Sequence, residues 1–312
     1  MPSPGISKLA LPPKPYRIDK RLDMFDQPVA CGEENDTRFK LLYKYDDPKY
    51  EDDRLFPVNE AITLANRLNS LPGSTAEASL ACSLSMREAR LRVGSWLWAL
   101  HDDTVEHAPT TFTVASRSWE IEANQLRQFD PRKLVNEFLT DMNRAGGLNH
   151  IGYVTAFLHS ELVNETLYRQ HFHGLCTQEF AGILDKLRLN EKYQTRSGER
   201  PSIKIRRKPL DNVPYALTYL LKSYWPGIYE GPVGDGTFTG RQSHVRRIKE
   251  PHHSNVLLWL DQWRLEDITL LKNLRVRAGG LGFQPTKLYS HSSDGKAYKQ
   301  SILPIRSSGM RF

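Results

Sequence analysis

The chain has few cysteines and no long apolar run, and both shortages narrow what it can be. Only three of its 312 residues are cysteines, and Cys31, Cys82 and Cys176 are far apart. Their scatter and odd number favour reduced thiols in a cytoplasm over a disulfide framework or a zinc knuckle. Because no apolar run approaches the roughly 18 residues of a membrane span and no secretory signal begins the chain, we expect no membrane partner.

A nucleotide-binding loop is also missing. The glycine-rich stretch 231–236 lacks the strand-to-helix spacing and the Lys-Ser/Thr pair that cradle phosphates in such loops. Any helicase step would therefore need a separate protein. What remains is the composition of a globular protein, with 39% hydrophobic and 25% charged residues.

Positive charge is concentrated in the second part of the chain. Residues 1–187 hold 21 Lys and Arg against 26 Asp and Glu, a net charge of −5, whereas residues 188–312 hold 22 against 10, a net charge of +12. A basic region of this kind indicates a polyanionic partner, and two clusters are candidates for phosphate contacts. They consist of Lys204, Arg206, Arg207 and Lys208, and of Arg246, Arg247 and Lys249.

The hydrophobic patterns predict an α+β protein, most clearly between residues 109 and 226. β-branched and alternating stretches predict strands at 110–115, 151–162, 167–177 and 202–206. A polar turn at 163–166 would join the second and third strands as a hairpin. Helical spacing and capping signals predict helices from Asp130 to the glycines at 146–147, at 180–189, and from Pro214 to 225.

The flanks are less informative. The acidic stretch 23–53 predicts a loosely packed arm, 58–71 a helix, and 80–100 a helix that turns into a strand. Near the other end, His252-His253 follows a proline and predicts a surface turn, while 255–271 predicts a packed helical segment. The polar, basic stretch 279–312 would be a tail that contacts DNA.

Two histidines on one predicted strand are candidate metal ligands. His171 and His173 flank Phe172, and because side chains alternate along a strand both project from one face. Two imidazoles leave most of a six-coordinate shell open, so a third ligand is needed. Hairpin pairing makes Glu161 the first choice, with His159 on the same face as the alternative. Imidazole together with carboxylate favours Mg²⁺ or Mn²⁺ in an open site.

Two tyrosines follow about forty residues later. On a helix, Tyr215 and Tyr219 stand one turn apart on one face, with Lys222 three residues beyond the second. An adjacent ammonium favours the phenolate form of a tyrosine. A metal that polarises a phosphate beside a tyrosine that attacks it is the minimum equipment for cutting a nucleic-acid strand and remaining attached to its end.

The order of these motifs resembles the HUH endonuclease superfamily, in particular the replication-initiator (Rep) branch of plasmids and single-stranded DNA phages. In that family a His-hydrophobic-His motif on a central strand binds the metal, and the tyrosine lies on a helix C-terminal to it. Tyr219-Leu-Leu-Lys222 matches the Tyr-x-x-Lys form, and Tyr215 with Tyr219 matches the two-tyrosine form. The stretch 111–114, Thr-Phe-Thr-Val, is a weak match to the family's first motif.

The resemblance covers residues 109–226 and implies a central antiparallel sheet flanked by helices, the HUH or ferredoxin-like palm. An N-terminal extension at 1–108 and a basic helical region at 227–312 would flank it. It implies an endonuclease that nicks single-stranded or hairpin origin DNA to begin rolling-circle replication, with a helicase and a polymerase from the host or the element as partners.

The resemblance also implies a role for each site residue. Tyr219 would form a covalent 5′-phosphotyrosine and leave a free 3′-hydroxyl, while Tyr215 would make a second transfer or position DNA. His171, His173 and Glu161 would hold the ion.

Three other functions remain open from the sequence. A single-strand DNA transposase of the same superfamily would use the same chemistry. A non-catalytic, sequence-specific DNA-binding protein would bind its site whether or not metal is present, and Tyr219→Phe would not affect it. A basic RNA-binding module would show no preference for a DNA hairpin.

Overall fold

The computed structural model describes residues 28–69, 79–195, 201–206, 210, 217, 219–222, 225–228, 245–277 and 280–283. The chain is mixed α+β in these ranges, which confirms the predicted class. The helices are α1 (Pro28–Tyr43), α2 (Val58–Asn69), α3 (Ser83–Asp103), α4 (Pro131–Met142), α5 (Gln178–Leu187) and α6 (His252–Asp261). The strands are β1 (Thr110–Glu122), β2 (Val154–Val163), β3 (Leu167–Cys176), β4 (Ile203–Ile205), β5 (Pro226–Ile228), β6 (Val245–Arg247), β7 (Thr269–Lys272), β8 (Leu274–Arg277) and β9 (Gly280–Phe283).

Seven strands form one sheet in the order β4-β1-β3-β2-β5-β6, with β7 also paired to β2. Neighbouring strands are antiparallel except β2 and β5, which run parallel. The prediction of an antiparallel sheet is therefore right for the described strand pairs except β2 and β5, whose parallel pairing makes the sheet mixed. The parallel pair forms where the chain returns as β5 and runs beside β2 in the same direction.

The two faces of the sheet carry different side chains. On one face Phe172 stacks on Phe138 of α4 with 5.0 Å between ring centroids, and Trp119 packs edge-on against both. This apolar layer belongs to a cluster of buried hydrophobic residues that also includes residues before 109 and after 226. The three-domain division at those limits stays a prediction. Because side chains alternate along β3, His171 and His173 project from the opposite face.

Local patterns near the site predicted the right elements. In β4, Ile203 and Ile205 are buried while Lys204 is exposed, as the alternation requires. Asp130 caps α4, since its carboxylate accepts a hydrogen bond from the Arg132 amide at 3.0 Å. The helical stretch then ends as predicted, beyond a π turn at Asn143–Gly147.

Three predictions for the flanks are wrong. Residues 28–53 are not a loose arm, because α1 buries Glu34 and Arg38 and the following turn buries Tyr45 completely. The stretch 80–100 does not turn into a strand, because α3 stays helical through Asp103. His252-His253 is not a surface turn but the start of α6, and its second histidine is buried.

The 255–271 segment divides instead of forming one helix. Helix α6 ends at Asp261, a 3₁₀ turn follows at Leu265–Ile268, and the chain then joins the sheet as β7. Elsewhere, no helix among the described ranges combines the length and the apolar character that crossing a bilayer requires. The three cysteines lie among the described residues, where they are buried and form no disulfide.

Candidate metal and tyrosine site

The hairpin of β2 and β3 brings three histidines together. Its register pairs His159 directly with His171, and His173 lies two residues further along β3 on the same face. Asn164 and Glu165 take positive φ angles of 49° and 62° in the turn, and the turn sets the register of a hairpin. One ring nitrogen from each histidine lies within 4.8 Å of the other two. This spacing allows the three rings to share one ion.

The third member of this group is His159 rather than Glu161. Glu161 shares the face but lies two residues nearer the turn, where the register sets it opposite Arg169. Arg169 is itself paired with Glu120 of β1 at 3.0 Å. Among the described residues, the group that can share an ion contains the three histidines and not Glu161. His159, the alternative third ligand, therefore occupies the position that was expected for Glu161.

Each histidine also contacts a protein oxygen through one ring nitrogen. His159 Nε2 lies 2.7 Å from the Leu220 carbonyl oxygen, and His173 Nδ1 lies 2.9 Å from Thr113 Oγ1. His171 Nδ1 lies 3.3 Å from the Arg169 carbonyl oxygen. A carbonyl oxygen can only accept, so His159 carries its proton on Nε2 and His171 on Nδ1. Such contacts fix the tautomer and the ring orientation of metal-binding histidines.

Two of the opposite ring nitrogens have no hydrogen-bond partner among the described residues. They are His159 Nδ1 and His173 Nε2, and both are buried. A buried polar atom without a partner costs about 1–3 kcal/mol, so native proteins rarely retain one without a reason. A metal ion bound between the rings would satisfy both atoms. The donor set therefore fits a metal ion.

The electrostatics keep these rings neutral. Burial lowers the pKa of His159 well below its usual 6.5, and the charges of Lys222 and His171 lower it further. Burial is also the main reason that the pKa of His173 is low, and the charges of His159, His171 and Lys222 lower it further. A neutral imidazole offers the lone pair that a metal ion needs. The two buried histidines are thus ready to act as ligands at neutral pH.

Tyr219 lies beside this group. Its ring centroid is 5.4 Å from that of His173, and the Lys222 ammonium lies 4.8 Å from the centre of the Tyr219 ring. Leu217 is helical, but Tyr219 stands in a turn, so the prediction that a helix carries Tyr219 is wrong. The structure therefore brings Tyr219 and Lys222 to the histidines. The other predicted tyrosine, Tyr215, lies outside the described residues.

Buried leucines hold the tyrosine in this place. Leu217, Leu220 and Leu221 are each at most 2% exposed, while Tyr219 and Lys222 are half-buried. The turn is closed by a backbone hydrogen bond from the Leu220 amide to the Leu217 carbonyl at 3.2 Å. The apolar side chains thus fix the backbone and leave the tyrosine and the lysine directed toward the site.

The predicted phosphate-binding residues lie in different surroundings. Lys204 is exposed and, through the register Lys204–Thr113–His173 across β4, β1 and β3, lies on the histidine face. Arg206 and Arg246 are also exposed. The other two members of the first cluster, at 207 and 208, lie outside the described residues. Lys204 is the cluster member that the described strands place on the same face as the histidines.

The second cluster contains two residues that hold carboxylates. Arg247 makes two hydrogen bonds to the buried Glu34 of α1, at 2.7 and 2.5 Å. Lys249 pairs with Glu165 at 2.7 Å. Arg247 therefore joins β6 to the N-terminal helix. No local pattern predicts this role of Arg247, because its partner lies 213 residues earlier in the chain.

Two parts of the site were not foreseen. The Leu220 carbonyl is a backbone group, which leaves no mark in a sequence. Thr113 lay in a predicted strand, but its contact with His173 depends on the β1–β3 register. The comparisons offer no further guide: family models, curated proteins and solved structures each returned no match for this chain.

Proposed function

We propose that this chain is a metal-dependent DNA endonuclease and strand transferase whose nucleophile is Tyr219, and that it initiates rolling-circle replication in a cytoplasm. One observation carries the proposal. The ring of Tyr219 lies against His173, a member of the three-histidine group, and has the Lys222 ammonium over it. A candidate nucleophile, a cation and a candidate metal site thus meet on one face of the sheet.

The chemistry is an in-line displacement at phosphorus. The phenol oxygen of Tyr219 attacks the scissile phosphate, and a new P–O bond forms as the bond to the 3′ oxygen breaks. The phenol proton is lost to solvent, and the departing 3′ oxygen takes up a proton to become a free hydroxyl. The product is a 5′-phosphotyrosine. Lys222 stabilises the negative charge of the phenolate during the attack.

His159, His171 and His173 would hold the ion. When bound, it supplies Lewis-acid polarisation of the phosphate. Three imidazoles without a carboxylate suit transition ions better than Mg²⁺, which prefers oxygen ligands. Of the two ions that the sequence favoured, Mn²⁺ therefore suits this donor set better.

The substrate in this proposal is single-stranded or hairpin origin DNA. Lys204 supports a backbone contact because it is exposed on the histidine face. The 3′-hydroxyl would prime synthesis by a separate polymerase, and a separate helicase would unwind the duplex. A single-strand transposase would use the same site, so the two differ in the fate of the covalent product.

The decisive experiment traps the covalent product. The protein is incubated with Mn²⁺ and a pool of labelled single-stranded DNA hairpins of random sequence, and a denaturing gel separates protein-linked label. We expect a metal-dependent adduct with the wild type and none with Tyr219→Phe or His171→Ala. Tyr43→Phe is the matched control, because Tyr43 is an exposed tyrosine of α1 bonded to Asn66.

Other outcomes assign the chain differently. An adduct that persists in Tyr219→Phe would move the nucleophile to another residue. Cleavage without any adduct would point to a water nucleophile at the metal. DNA binding without cleavage, indifferent to metal and to Tyr219→Phe, would favour the non-catalytic DNA-binding protein.

A further inference from the structure

The two ring nitrogens of His159 have different surroundings. Nε2 donates a hydrogen bond to the Leu220 carbonyl at 2.7 Å, next to the proposed nucleophile. Nδ1 is buried without a hydrogen-bond partner among the described residues, and the ring centroids of His171 and His173 lie 5.8 and 4.9 Å from that of His159. The ring is therefore a direct physical link between the metal group and the backbone that carries Tyr219.

The position of His159 in the sheet explains how this contact is possible. On the side of β2 away from β3, β7 pairs with residues 154–157 and β5 pairs with 162–163. Residues 158–161 have no strand partner on that side among the described residues. His159 lies in this interval, and the buried Leu220 accepts a hydrogen bond from its ring. The tyrosine turn thus contacts β2 between the segments that pair with β7 and β5.

We propose that His159 is a positioning residue that couples metal binding to the docking of the tyrosine turn. Metal bound at Nδ1 draws electron density from the ring and makes the Nε2–H a stronger donor to Leu220. Conversely, the carbonyl holds the tautomer that leaves Nδ1 unprotonated for the metal. Because binding and docking share one free-energy coupling, each favours the other to the same extent.

This inference rests on the metal site of the proposed function, and it adds that the ion orders the nucleophile as well as acting on the phosphate. A metal-free protein would hold Tyr219 less firmly. The turn has an amide suited to measuring this, since the Leu220 N–H is bonded within the turn and exchanges with solvent only when the turn opens.

Two substitutions separate the functions of the ring. The amide of Asn reaches the position of Nδ1, so His159→Asn keeps an oxygen ligand and removes the donor to Leu220. The longer amide of Gln reaches the position of Nε2, so His159→Gln keeps that donor and removes the ligand. Thr113→Val is the control, because the hydroxyl of Thr113 bonds His173 rather than the Leu220 carbonyl.

The experiment measures Mn²⁺ affinity by calorimetry and Leu220 amide exchange by hydrogen–deuterium exchange with fragmentation mass spectrometry, with and without saturating Mn²⁺. In the wild type we expect Mn²⁺ to slow exchange about fivefold or more, the low end of typical couplings. Thr113→Val should bind Mn²⁺ about tenfold more weakly yet show the same slowing at saturation. His159→Gln should keep the metal-free exchange rate and bind Mn²⁺ poorly, and His159→Asn should bind Mn²⁺ without the slowing.

The results also separate this inference from the proposed function. Equal slowing in His159→Asn and the wild type, or a wild type that binds Mn²⁺ with no change in exchange, would overturn the coupling. The Tyr219 adduct would still form in either case if the proposed function is right. A wild type that binds no Mn²⁺ would overturn both. Circular dichroism of each variant identifies any that is unfolded, and Thr113→Val then provides the comparison with the wild type.

Discussion

Tyr219 packs edge-on against His173, with 5.4 Å between ring centroids and 64° between ring planes. The same histidine is held from β1 by Thr113 and shares the metal group with two other rings. The tyrosine and the metal ligands therefore form one packed unit rather than two neighbouring features. Changes to the tyrosine should therefore be measurable at the metal ligands, and changes to the ligands at the tyrosine.

Metal removal should lower the stability of the protein. A ligand present at 100 times its Kd stabilises the native state by about 2.7 kcal/mol, which corresponds to a rise in Tm of about 5 °C in a chain of this size. We expect Mn²⁺ to produce such a rise and a chelator to reverse it, as followed by scanning calorimetry. His171→Ala should abolish the rise. His101→Ala should retain it, because His101 pairs with Asp102 on α3, outside the three-histidine group. A rise that survives His171→Ala would place the ion elsewhere.

Loss of the Lys222 charge should slow strand cleavage. Its ammonium lies 4.8 Å from the centre of the Tyr219 ring, where a cation stabilises the negative charge that develops on the phenolate. Lys222→Met keeps the length of the side chain and should lower the rate of adduct formation about tenfold, measured by rapid quench. Lys222→Arg keeps the charge and should retain more of the rate. Equal rates for Lys222→Met and the wild type would contradict this role.

Elements with strong local patterns could be predicted from the sequence. Alternation located β4, and Asp130-Pro131 located the start of α4. Helix α1 was missed because its buried residues include Glu34, Asn35 and Arg38, so no apolar stripe marks its inner face. These polar groups are satisfied by distant partners; for example, Arg38 donates to the Ala81 carbonyl at 2.7 Å. No local pattern records such a partner.

The candidate site could likewise be predicted only where it depends on a local pattern. His171 and His173 follow from the period of two, but the choice between His159 and Glu161 depends on a register that changes with one residue in the turn. The turn at Asn164 and Glu165 fixes that register, and it pairs His159 with His171. The sequence therefore offers both residues as candidates but cannot determine which of them lies opposite His171.

Glu34 should make stability depend on pH in the acid range. Burial alone would raise its pKa, but hydrogen bonds from Arg247 and the charge of Arg38 lower it to about 2. A carboxyl whose folded pKa lies below its ordinary 4.5 stabilises the fold fully above that pH, and the contribution is lost as the pH falls toward 2. The difference corresponds to roughly 3 kcal/mol at neutral pH.

The test compares urea unfolding of Glu34→Gln and the wild type from pH 7 to pH 3. The variant should be less stable by about 3 kcal/mol at pH 7, and the gap should narrow below pH 4.5. Asp47→Asn is the control, because the pair of Asp47 with Lys49 is exposed and should contribute little. A gap that stays constant with pH would mean that ionisation of Glu34 does not stabilise the fold.

Lys204 should contribute to DNA binding, whereas Arg247 should contribute to the stability of the fold. Lys204 is exposed on the histidine face, so a phosphate contact there releases counterions and makes affinity depend on salt. Fluorescence anisotropy with a labelled single strand between 50 and 200 mM salt gives that dependence. Lys204→Ala should weaken binding and reduce the slope of log affinity against log salt by about 0.7, the value of one contact on a single strand.

Arg247→Ala should leave that salt slope unchanged and instead lower the free energy of unfolding by about 3 kcal/mol, because the buried carboxylate of Glu34 keeps its bond from Arg38 but loses two charge-assisted hydrogen bonds from Arg247. Arg247→Lys should restore little of this stability, since a lysine cannot make the paired hydrogen bonds of a guanidinium. The assignment fails if Arg247→Ala lowers the salt slope while the protein keeps its stability. Arg247 would then contact DNA, and the bond to Glu34 would be exchanged for a phosphate on binding.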